Sequence, residues 1–107
     1  MNRRKITEVE INEIFLFVRK AIAVYREAGV PNLELIIALP EWLKEVIIYF
    51  NRAHFNSSTS TELLHSQFFG VETQPHFKDE VVVFVKRFDS LGELYEPFIH
   101  QIKFEDN

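Results

Sequence analysis

The sequence predicts an α+β protein: a two-layer sandwich in which a long N-terminal helix and a second helix pack on a mixed sheet of about four strands. Three observations carry that expectation. Apolar residues recur at helical spacing over residues 11–25 and again over 43–50; the runs 33–39 and 81–85 have the length and composition of strands; and residues 98–104 alternate between apolar and polar. With 107 residues, a single core buries roughly two-thirds of the surface that the unfolded chain exposes, enough for one domain over 1–107 to fold without staples.

Thr7, Glu8, Val9 and Glu10 fit a capping box, in which Thr7 and Glu10 each accept a backbone N–H at a helix start. Ile11, Ile14, Phe15, Val18, Ile22 and Tyr25 then form one stripe, and Gly29 followed by Pro31 ends the helix. Leu16, Phe17, Ala21 and Val24 widen the stripe beyond what a single contact surface needs. The run 33–39 is apolar except for Glu34, the pattern of a strand covered on both faces. Pro40 opens the second helix, expected over 40–52 with Leu43, Val46, Ile47 and Phe50 inward and Trp42, Ile48 and Tyr49 off the stripe.

Residues 56–61 are small and polar and read as a mobile loop, and Thr59 with Glu62 allows one helical turn after it. Residues 68–74 and 80–87 read as strands joined through a turn at 75–79, and their proximity predicts an antiparallel hairpin. Val81, Val82, Val83, Phe84 and Val85 make the second of these apolar on both faces, which argues for an interior position. If residues 33–39 run parallel to residues 68–74, the second helix is the crossover between them. Ser90 and Glu93 repeat the box spacing around Gly92, and the last strand turns Phe98, His100, Ile102 and Phe104 inward.

Composition removes several classes of function. The absence of cysteine excludes disulfides, thiolate metal sites and thiol nucleophiles. A formal charge of −4 argues against generic nucleic-acid binding, and the sign is uneven: residues 1–53 carry 8 basic and 7 acidic side chains, residues 54–107 carry 4 and 9. Arg3, Arg4 and Lys5 give residues 1–6 the character of a flexible, solvated basic terminus, and Glu8, Glu10 and Glu13 interrupt any signal-like apolar run behind them. No segment has the apolar length of a membrane span, so a soluble, cytoplasmic protein without membrane contact is expected.

Chemistry-bearing patterns are sparse. His54, His65 and His76 recur every 11 residues, too far apart for a sequence-local metal site. His76, Asp79 and Glu80 are the nearest approach to a metal or acid–base set, and the basis of one alternative reading, a small metal-dependent hydrolase. The three glycines, Gly29, Gly70 and Gly92, are isolated, which leaves no phosphate-binding loop, and no cofactor is expected. Ser57, Ser58, Ser60 and Ser66 lack a nucleophile elbow. Glu34, Glu41, Glu72 and Glu80 could pair only through the fold. Arg19, Arg26 and Arg52 form at most a small basic patch.

The succession from Leu33 through Pro40 and Trp42 into a helix, then Phe69, Gly70, Val71 and the Val81 strand, resembles a segment of tailed-phage major capsid domains over about half the chain. The resemblance implies a virus-encoded structural protein, although the spine helix and extended loop of that family have no counterpart here. A related alternative is a host-directed inhibitor with an acidic face of Glu72, Asp79, Glu93, Glu96 and Glu105. The leading expectation is a non-catalytic interaction or assembly module, a homo-oligomer or a docking domain for a protein partner. It rests on the apolar surplus, above all 11 Phe, and names Phe17, Trp42, Tyr49, Phe55, Phe77 and Phe88 as interface candidates.

Overall fold

The first helix, α1 (Glu8–Glu27), begins where its capping residue stands. The structure, a computed structural model, describes residues 5–54, 67–86 and 96–105. Thr7 Oγ1 accepts the Glu10 N–H at 3.2 Å. Only this half of the box forms, because the Glu10 carboxylate is drawn to the far end of the chain. At the other terminus Gly29, with φ of +89°, places its N–H on the Arg26 carbonyl and the Val30 N–H on the Tyr25 carbonyl, a Schellman ending that only a left-handed residue allows.

Residues Asn32–Glu34 form a short 3-10 turn, so the first strand, β1 (Leu35–Leu39), starts two residues later than its apolar run suggests. Helix α2 (Glu41–His54) follows Pro40 directly. The segment read as one strand over 68–74 is divided by Phe69 and Gly70, whose φ values of 54° and 74° make a two-residue hairpin between β2 (Gln67–Phe68) and β3 (Val71–Pro75). A bulky residue seldom adopts the Phe69 conformation. Its ring is held by Phe68 stacked at 4.3 Å and by the Arg19 guanidinium 5.4 Å above.

Strands β4 (Glu80–Val85) and β5 (Phe98–Gln101) complete a mixed sheet of order β2-β3-β1-β4-β5. The parallel relation expected between the first strand and the 68–74 segment is present, between β1 and β3. The hairpin expected between β3 and β4 is not: β1 lies between them, parallel to one and antiparallel to the other. Two strand spacings are about 10 Å, and the four residues from His76 to Asp79 reach further than that when extended. A short loop can therefore step over the end of β1, where the His76 N–H donates to the Leu39 carbonyl at 3.0 Å. All five residues of β1 are buried, and a central place is what such a strand requires.

The register sorts the side chains by face. Leu35, Ile37 and Leu39 of β1 share one face with Val71, Val81, Val83 and Ile102, and this face meets Ile14, Val18, Ile22 and Tyr25 of α1 and Leu43 and Ile47 of α2 in one core. Both helices thus lie on the same side of the sheet. The opposite face carries Ile36 and Ala38, buried, then Val82 and Phe84, half-buried, and Ile99, about half exposed. Strand β5 has the predicted alternation, with Phe98, His100, Ile102 and Phe104 inward and Ile99, Gln101, Lys103 and Glu105 outward.

Candidate functional site

Two imidazole–carboxylate pairs stand on opposite sides of the sheet. On the helix side, Glu10 in the first turn of α1 is 4% exposed, and its Oε2 accepts from His100 Nε2–H at 2.8 Å and from the Lys103 backbone N–H at 2.8 Å. The Phe17 ring covers the imidazole, 5.3 Å away and tilted by 35°. A buried carboxylate survives by collecting charge-assisted donors, and Glu10 has two. The result is a cross-link between the two ends of the described chain.

On the other side, Glu80 lies opposite Gln101 in the β4–β5 register. His76 Nε2–H donates to its Oε1 at 3.1 Å, and Gln101 Nε2–H donates to its Oε2 at 2.6 Å. The His76 hydrogen bond is the largest influence on Glu80 and lowers its pKa from the usual carboxylate value; the Gln101 bond and the Lys78 charge act in the same direction, against burial. Asp79 turns elsewhere: its Oδ1 accepts from Trp42 Nε1–H at 3.3 Å, while its backbone carbonyl takes the Ile102 N–H. Trp42 is half-buried and lies beside Phe104, 5.6 Å between rings.

The trio His76, Asp79 and Glu80 is therefore split between two partners, and among the described residues no group of three or more His, Asp or Glu could hold a metal ion. A hydrolytic site would bring two imidazoles together, yet the sheet stands between His76 and His100. His65 and the side chain of His54 lie outside the described residues. Of the dispersed carboxylates, Glu72 pairs with Lys86 at 3.3 Å, and the acidic face proposed from sequence cannot be traced through Glu93, which is also outside them. In the basic patch Arg26 donates to Asn32 Oδ1 at 3.3 Å and Arg19 lies over Phe69; the side chain of Arg52 is outside.

The interface candidates divide. Phe17 is half-buried against His100 and the core, and Trp42 is held by Asp79 and Phe104. Tyr49 is 75% exposed and Phe77 is 91% exposed. Phe55 and Phe88 lie outside the described residues. Sequence reasoning missed the Glu10–His100 pair, which had a signal: a histidine on the apolar face of an alternating strand needs a buried partner. It also missed the exposed Val9 and Leu33.

Of the basic start, residues 1–4 are outside the described chain, whereas Ile6 rests on the core and the Lys5 carbonyl accepts the Glu105 N–H. The loop expected at 56–61 and the turns expected around Glu62 and Gly92 also fall outside. No described helix is long and apolar enough to cross a membrane. In comparisons with protein-family models, curated proteins and solved structures, the chain matches none.

Proposed function

We propose that the chain is a non-catalytic interaction or assembly module that associates with itself or with a protein partner through exposed apolar side chains. The observation that carries this reading is Phe77. Its loop is fixed at both ends, by the His76 N–H on Leu39 and by Asp79, which Trp42 and Ile102 both engage. A phenylalanine presented at 91% exposure by an anchored loop contributes little to its own core. Exposed aromatic side chains of low rotamer entropy are effective anchors in interfaces. Tyr49, exposed on α2, is a second side chain of this kind.

Sedimentation velocity of the full chain from micromolar to millimolar concentration, with a hydrophobic dye as a second reporter, tests the reading. Association or dye binding that falls in Phe77→Ser or Tyr49→Ser, with circular dichroism unchanged, supports it. A chain that stays monomeric and binds no dye overturns its self-association branch.

A further inference from the structure

The outward side of α1 carries an apolar stripe with a carboxylate and an ammonium set between its members. Helix α1 turns Ile11, Ile14, Val18, Ile22 and Tyr25 to the core, so Val9, Glu13, Leu16, Lys20 and Val24 follow one another along the opposite side. The three apolar members are 70%, 47% and 49% exposed in that order, and Glu13 and Lys20 are exposed between them. The stripe is symmetric about its middle in position and antisymmetric in charge. Glu13 and Lys20 stand equally far on either side of the point between residues 16 and 17, and so do Val9 and Val24.

We propose that this stripe is the contact between two copies of the chain, with α1 of one lying antiparallel on α1 of the other. This rests on the self-association branch of the reading above and adds to it a second surface, distinct from Phe77 and Tyr49. A two-fold axis through the middle of the stripe brings the two Leu16 side chains next to each other, sets each Val9 against Val24 of the second copy, and makes two Glu13–Lys20 ion pairs. The parallel arrangement would set Glu13 on Glu13 and Lys20 on Lys20, so the charges select the antiparallel one. From Val9 to Val24 the helix rises about 22 Å. A contact of that length is small beside a standard interface, so the dimer is weak and depends on concentration.

Sedimentation equilibrium of the full chain over a concentration series, repeated at high salt, decides the matter. A monomer–dimer equilibrium is expected, weakened by salt and abolished by Leu16→Asp. Glu13→Lys and Lys20→Glu each loosen the dimer about tenfold through two like-charge contacts, and the double exchange Glu13→Lys/Lys20→Glu restores wild-type affinity. All three positions tested are exposed, and circular dichroism verifies that each variant keeps its helix. A wild-type chain that is monomeric throughout overturns both this inference and the self-association reading beneath it. A dimer indifferent to Leu16→Asp overturns the α1 contact alone. A double exchange that fails to recover what the single exchanges lose overturns the antiparallel register.

Discussion

Glu10 and His100 are separated by 90 positions in the chain and by 2.8 Å in the fold. The carboxylate that holds the imidazole also holds the Lys103 N–H, so one side chain ties the start of α1 to the end of β5.

Removing it should be expensive. Glu10→Ala leaves His100 and the Lys103 N–H without their acceptor in a largely buried setting, and the expected loss is about 2 kcal/mol. Urea unfolding followed by circular dichroism measures it. Glu45→Ala, at an exposed position on α2, should stay within about 0.5 kcal/mol.

Tyr25 offers a second long-range tie. Its hydroxyl donates toward the Glu96 carbonyl at 2.7 Å, with the Val83 carbonyl at 3.2 Å, and burial raises its pKa above the ordinary 10.0. Tyr25→Phe should cost about 1 kcal/mol near neutral pH. Because the neutral phenol is the form the fold retains, the tyrosine contribution is complete below pH 10.0 and is lost as pH rises from there through the higher folded value. Thermal melts at alkaline pH should therefore fall more steeply for the wild type than for Tyr25→Phe.

Glu80 gives the acid counterpart. Its carboxylate is favoured in the fold, first by the hydrogen bond from His76, so its contribution is complete above the ordinary value of 4.5 and is lost as pH falls through the lower folded value. Glu80→Gln should destabilise the chain above pH 4.5, and the difference from the wild type should shrink on acidification. A difference that grows toward acid would contradict the arrangement around His76.

The β2–β3 hairpin should discriminate between side chains by conformation and not by space. A Cβ on Gly70 would meet Asn32 Nδ2 at 3.5 Å, an ordinary contact, but φ there is +74°. Gly70→Ala should cost about 1 kcal/mol through the left-handed backbone, and Gly70→Asn noticeably less, since asparagine tolerates that region. Paired chemical denaturation curves for the two variants give the comparison.

Local signals were legible in the chain itself. The capping threonine, the Gly29 ending, the proline before α2 and the alternation of β5 each report on neighbours within a few residues, and each appears in the structure. Strand pairing was harder to read. Residues 71–75 and 80–85 are close in sequence, and proximity favours a hairpin, yet the all-apolar β1 gains two ladders and two covered faces by entering between them. The one strand over 68–74 hid a turn because the turn residue was a phenylalanine in a conformation usually left to glycine or asparagine.

The phenylalanine surplus shows the same division. Periodicity was enough to send Phe50 inward, because burial along one helix follows from spacing. Whether Phe17 and Phe77 are core or surface was decided only by what the fold brings to them. His100 arrives from the far end of the chain to cover Phe17, and the loop over β1 holds Phe77 in solvent. The sequence alone determined the two helices, the strands β1, β4 and β5 in outline and the apolar excess; tertiary structure decided the division of 68–74 into two strands, the strand order, the partner of Glu10 and which aromatics remain exposed. Those depend on contacts between residues far apart in the chain, to which local spacing is blind.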